Sequence, residues 1–149
     1  MDTDVFYTDG LRFSCTQCSR CCRHDSGYVF LSENDVNALT NRLGVSRERF
    51  IEEYCVWAPA GLGHHLSLSE QENHDCVFWR DGGCSVYEDR PTQCRTYPFW
   101  EHIVTDSTGW ERERRECPGI DIGRRHSFFE IRNDLAARVR NRPIRKGGR

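Results

Sequence analysis

Four sulfurs fall within eight residues near the start of the chain, in the run Cys15-Thr16-Gln17-Cys18-Ser19-Arg20-Cys21-Cys22. A thiolate is a soft ligand, suited to zinc, iron–sulfur clusters or Cu(I). Two residues between cysteines is the spacing a short turn needs to aim both sulfurs at one metal. Cys76, Cys84, Cys94 and Cys117 follow downstream as further candidate ligands. The adjacent pair Cys21-Cys22 is less usual, because neighbouring side chains diverge in most backbone conformations. Either the pair straddles two metals, or only one of the two is a ligand.

A disulfide framework is the ordinary competitor. Disulfides belong to oxidising compartments, and the first ten residues carry neither the basic n-region nor the apolar h-region of a secretory signal. Nine cysteines also leave one unpaired in any intramolecular scheme. Spacing and compartment together point to zinc or iron held by cysteine in the cytoplasm, at one or two centres, with an iron–sulfur cluster as one form.

The 149 residues suit one domain. No apolar run approaches the roughly 18 residues a membrane helix needs, so no membrane partner is expected. With 37% apolar and 30% charged residues the core should be modest. Bound metal would supplement it, since binding free energy becomes folding free energy. Charge is unevenly placed: residues 1–75 have a balance of −6 and residues 123–149 a balance of +7. A basic end can attract nucleic acid, but a solvated helix face with a frayed end is the simpler reading.

The elements read as α+β: a small single domain of short helices and β-hairpins organised around a cysteine-ligated metal centre. Residues 1–14 form an extended lead-in whose Phe6, Tyr7, Leu11 and Phe13 can pack over the cysteine loop. Arg20 and Arg23 would offset the negative charge of a thiolate-bound metal. Residues 27–31 read as a strand. Ser32-x-x-Asp35 resembles a capping box opening a helix over about 33–43, with Val36, Leu39 and Leu43 on one face and Gly44 ending it. Ser46 caps a second helix through about Cys55, which is read as a buried apolar residue rather than a ligand. Residues 58–75 read as a loop with a short strand at 64–68. His24, His64, His65 and His74 lack any ligand spacing and are expected at the surface.

Segments 76–79 and 84–87 flank a turn at 80–83, a hairpin that brings Cys76 and Cys84 together. Arg90-Pro91 opens a short helix bearing Cys94 and Arg95, with Pro91 at its first position and Pro98 closing it. Residues 100–105 and 110–115 read as a second hairpin around 107–109 that delivers Cys117. Ser127-x-x-Glu130 caps a helix to about 141 with a core stripe of Phe128, Ile131, Leu135 and Val139. The domain is expected over 1–142, and residues 143–149 as a basic disordered tail.

Together these motifs resemble the YkgJ-type cysteine cluster family, the CxxCxxCC zinc- or iron-chelating domain, over residues 13–119. The resemblance is carried by Cys15-x-x-Cys18-x-x-Cys21-Cys22, by Cys76, and by Cys84-x-Val86-Tyr87-x-x-Arg90-Pro91-x-x-Cys94-Arg95-x-Tyr97-Pro98-Phe99. Cys117-Pro118-Gly119 completes it. Ser19 stands where the family pattern has glycine. The resemblance implies metal chelation, with Cys15, Cys18, Cys21, Cys22, Cys76, Cys84, Cys94 and Cys117 as the metal ligands and no catalytic residue. A similar block occurs in flagellin lysine methylases, where the resemblance points to an iron–sulfur cluster. No glycine-rich strand–turn–helix for a nucleotide cofactor is present, so methyl transfer is not carried over.

The leading expectation is a metal-binding protein whose centre is structural or redox-active. The alternative is a metal-dependent enzyme, or an accessory to a protein-modifying system of the methyltransferase type. A catalytic metal needs an open coordination position, which two closed four-thiolate sites would not leave. A metal-scaffolded nucleic-acid adaptor ranks last, because the basic end lacks aromatic–basic interleaving.

Overall fold

Ser32 and Asp35 start the first helix as the sequence implies. The Ser32 hydroxyl accepts from the Asp35 N–H, and the Asp35 carboxylate accepts in return from the Ser32 N–H. The helix, α1 (Glu33–Leu43), buries Val36 and Leu39 and ends at Gly44, whose φ of 68° is the left-handed stop expected of glycine. Ser46 caps α2 (Arg47–Tyr54) by accepting from the Arg49 N–H. The computed structural model describes residues 5–15, 28–73, 75–80 and 83–147. Cys18, Cys21, Cys22, Arg20, Arg23, His24, Gly27 and His74 lie outside the described residues, so the expectations placed on them have no structural counterpart here.

Several expectations need correction. Cys55 is not on α2 but is the first residue of a strand, β2 (Cys55–Ala60), at φ −128° and ψ 161°. This strand pairs antiparallel with β3 (Gly63–Leu68), the strand expected at 64–68. Pro59 hid β2 in the sequence, since proline is tolerated only where a strand needs no N–H donor. The hairpin expected at 100–115 is instead two helices, α4 (Glu101–Val104) and α5 (Ser107–Arg114). The Asp106 carboxylate caps α5 by accepting from the Gly109 N–H at 2.9 Å. Gly109 also lets the two backbones meet, because a Cβ there would lie 2.8 Å from the Ile103 carbonyl oxygen. The β-branched run Ile103-Val104-Thr105 suggested a strand, and the cap decides otherwise.

The strand pair expected to join Cys76 and Cys84 is present but short, with β4 (Trp79–Arg80) against β5 (Gly83–Cys84). A 3-10 turn at Tyr87–Asp89 leads to α3 (Thr92–Thr96), with Pro91 one position before the helix rather than within it. Within the lead-in, β1 (Leu11–Phe13) pairs with β6 (Ile120–His126), a strand the sequence analysis missed. Only Ile120 of β6 is buried, so no apolar alternation marked it. Then α6 (Phe128–Arg140) begins at the expected capping box. Its stripe holds at Ile131 and fails at Val139, which is 75% exposed. The expected free tail is docked: the Leu66 N–H donates to the Ile144 carbonyl and the Ile144 N–H to that of Leu31. The same β3 strand takes residues 29–31, where the sequence placed a strand, through the Leu31 N–H and the Leu66 carbonyl.

The architecture is therefore α+β, short helices with two-stranded antiparallel pairs. One apolar cluster gathers Leu11, Phe99, Ile103, Trp110, Ile120 and Ile131, with Cys117 inside it. A second gathers Leu31, Val36, Leu39, Phe50, Leu66 and Phe78. The buried Asp35 carboxylate joins them. One oxygen accepts from the N–H and hydroxyl of Thr92, both at 3.0 Å. The other accepts from the Ser32 N–H at 3.1 Å and the Asn141 amide at 2.9 Å. The starts of α1 and α3 and the end of α6 thus meet on one side chain. Removing it strands buried donors, each worth about 1–3 kcal/mol. Asp35→Ala should lower the unfolding free energy by about 3 kcal/mol, read from urea denaturation, and an unchanged midpoint would reject the role given to Asp35.

Candidate metal centre

Cys15 and Cys117 lie about a hundred residues apart in sequence, and a backbone contact brings their segments side by side. Cys15 follows β1, and the N–H of its neighbour Ser14 donates to the Gly119 carbonyl at 3.2 Å. The approach is so close that a Cβ on Gly119 would lie 2.2 Å from the Ser14 carbonyl oxygen. That is the physical reason for glycine after Cys117-Pro118. Cys15 is exposed and Cys117 buried.

A tyrosine hydroxyl stands beside each of these sulfurs. Tyr87 hydrogen-bonds with Cys15; burial and then that bond push the phenol above its ordinary range. The Tyr97 hydroxyl donates to Glu113 and also meets Cys117, and burial, followed by the Glu113 bond, pushes its titration well upward. Both tyrosines belong to the block that carried the family resemblance, but nothing in the sequence assigned them a place beside sulfur.

Cys94 rides half-buried on α3, which Asp35 holds through Thr92. Its neighbour Gln93 grips the chain as it leaves the cysteine loop. The Gln93 side-chain Oε1 accepts from the Phe30 N–H at 3.1 Å, and its Nε2 donates to the Tyr28 carbonyl at 2.9 Å. Both flanks of residues 16–27 are thereby anchored near candidate ligands: Ser14 and Cys15 at Gly119 and Tyr87, and residues 28–30 at Gln93. Sequence analysis gave Gln93 no role.

Cys76 and Cys84 bracket Trp79. The Trp79 N–H donates to the Cys76 carbonyl at 2.9 Å, and Trp79 is the cross-strand partner of Cys84. Both are half-buried against the second apolar cluster. Cys55 packs there too, and burial pushes its thiol up to about 12. A thiol so reluctant to ionise suits the apolar role expected for it, although it sits on a strand.

The structure thus lays the Cys15 segment against the Cys117–Gly119 segment and sets Cys76 and Cys84 around Trp79. Among the described residues, no three of His, Cys, Asp and Glu converge as a metal-holding group. Of the eight expected ligands, Cys18, Cys21 and Cys22 lie outside those residues. The donor chemistry fits zinc or iron: soft sulfurs from separated segments, with hydroxyl groups beside two of them. His64 and His65 lie on β3, where His65 sits opposite Arg145 and packs edge-on against Phe30.

Two substitutions separate site from packing. Gly119→Ala should push Ser14 off the Cys117 segment, costing about 2 kcal/mol and lowering bound metal. Cys55→Ala should cost about 1 kcal/mol and leave metal content unchanged. Thermal melting with elemental analysis reads both, and loss of a stoichiometric metal from Cys55→Ala would overturn its exclusion from the site.

No solved structure matches the chain. Among the described residues, no helix is long and apolar enough to cross a membrane. The family profile described as "CxxCxxCC: Putative zinc- or iron-chelating domain" matches residues 14–132. On that match, spanning the cysteine loop, the Tyr87–Tyr97 block and Cys117, the chain belongs to the CxxCxxCC family of zinc- or iron-chelating domains.

Proposed function

We propose that this protein holds zinc or iron in a reducing, cytoplasmic setting through Cys15, Cys18, Cys21, Cys22, Cys76, Cys84, Cys94 and Cys117, in a structural or redox role. The observation that supports the reading is the Ser14–Gly119 contact, which lays the Cys15 segment against the Cys117 segment across most of the chain's length. A domain gains little from joining two such distant cysteine segments unless something binds both. Cys15 and Cys117 on adjoining segments, and Cys76 and Cys84 around Trp79, form two groups of candidate ligands, which supports two centres with Cys21 and Cys22 divided between them. The nucleic-acid reading loses ground, since the basic end is partly engaged. Arg124 pairs with Glu130 at 2.8 Å, and Arg138 lies over the Trp100 ring at 4.2 Å.

Anaerobic purification followed by metal and acid-labile sulfide analysis tests the reading. Bound sulfide with broad visible absorption identifies an iron–sulfur cluster, a colourless zinc protein identifies the alternative, and a metal-free chain overturns the proposal. Because the ligands come from separate segments, removing the metal should also lose most of the ordered structure; structural zinc contributes on the order of 10 kcal/mol in small domains. Under two centres, Cys21→Ser and Cys22→Ser each lose one metal and the double variant both. Under one centre, one single variant keeps full metal and the other keeps none.

A further inference from the structure

Beside Cys15 the surface opens into a cleft of about 280 Å³ whose walls include Arg90, Arg95, Arg124, His126 and Asp134. The three arginines are not equivalent. Arg124 is neutralised by Glu130 at 2.8 Å and leans on His126 at 3.0 Å. Arg90 lies over the Tyr87 ring at 3.9 Å and donates to the Tyr87 carbonyl at 3.0 Å. Arg95 donates to the Thr92 hydroxyl at 3.3 Å and its charge acts on the Asp134 carboxyl. Among the described residues neither Arg90 nor Arg95 forms an ion pair.

Arg90 immediately precedes α3 and Arg95 lies on it, and Asp35 holds that helix through Thr92. Arg90 spends donors on Tyr87 and Arg95 one on Thr92, and each keeps others for a ligand, out of the five a guanidinium offers. The planar fork matches a carboxylate or phosphate better than a point charge does. Phe13 and Phe99 supply apolar wall between the charged groups. A cleft below the size of drug-sized pockets, with aromatic walls and two guanidinium groups that form no ion pair among the described residues, has the chemistry of a small-anion site.

We propose that this cleft binds a small oxyanion, a carboxylate or phosphate group, through Arg90 and Arg95 beside Cys15. The site goes beyond the metal reading and does not depend on how many metals bind. Asp134 sets its selectivity by repelling ligands of high charge and accepting from a ligand donor.

Calorimetric titration of the protein as purified, with metal content measured in the same sample, tests the proposal. Inorganic phosphate and succinate serve as separate probes at constant ionic strength. Saturable one-site binding of either is expected, and the probe that binds identifies the group. Arg95→Gln should weaken it about tenfold, Arg95→Lys less because charge is kept while the fork is lost, and Asp134→Asn should tighten phosphate about two- to fivefold by removing a like charge. Metal content should stay constant throughout. Absence of saturable binding in the wild type overturns the proposal, as does an Arg95→Gln that binds like the wild type. Loss of metal from a folded Arg95→Gln would assign the arginine to the metal's charge and also overturn it. If Arg95→Gln does not fold, unchanged affinity in both Arg95→Lys and Asp134→Asn does the same. A metal-free wild type that still binds anion would instead sink the metal reading alone.

Discussion

A buried carboxylate with four donors around it holds the two halves of this protein together. Asp35 is 6% exposed, and moving a charge into such a site is costly unless its lone pairs are filled. Here they are filled from three elements, by Ser32, Thr92 and Asn141. The Ser32 hydroxyl in turn donates to the Asn141 amide oxygen at 2.6 Å, closing a ring of polar contacts between α1 and α6. Apolar packing alone would not choose this arrangement, because either cluster could bury its residues against several surfaces. The geometry of four hydrogen bonds is what selects one. It also fixes α3, a single turn too short to hold itself, and α3 carries Cys94, Gln93 and Arg95.

Local signals were legible in the sequence where a side chain acts on its own backbone. Ser32 with Asp35, Gly44, Ser46, and Ser127 with Glu130 all do so, and each of those helices lies where the sequence placed it. Signals failed where tertiary contacts decided. The Ile103-Val104-Thr105 run has strand propensity, but Asp106 caps a helix and Gly109 opens space for it. β6 carries almost no apolar pattern, since its pairing with β1 leaves one face in water. Ile144 looked like part of a polar tail because its partners, Leu31 and Leu66, are far away in sequence. Asp35 itself was read as half of a capping box, and its second oxygen, facing Thr92, cannot be inferred from spacing.

The cysteine spacing was readable for a different reason. Two residues between thiols is a local geometric fact, whereas the approach of the Cys15 and Cys117 segments depends on a glycine whose reason appears only when Ser14 lies against it. Tyr87 and Tyr97 were visible as part of a motif without a stated cause. Their hydroxyl groups sit beside sulfur, and that proximity needs the 3-10 turn at Tyr87–Asp89 and α3 both in place.

Tyr97 also bears on what stabilises Cys117. A phenol has one proton to donate, and here it goes to Glu113. The same hydroxyl also meets Cys117, so Glu113 and the sulfur share one phenol. Cys117 is buried among Phe99, Trp110 and Ile120, where a bare thiolate would lack water. Tyr87 is engaged with Cys15, and Arg90 and Arg95 line the open cleft at Cys15. On the proposed metal reading, a zinc or iron ion bonded to the Cys117 sulfur would offset thiolate charge from inside the core. The same reasoning makes the buried and exposed candidate ligands unequal. Cys117 would meet the metal from the apolar cluster, whereas Cys15 would meet it from the surface.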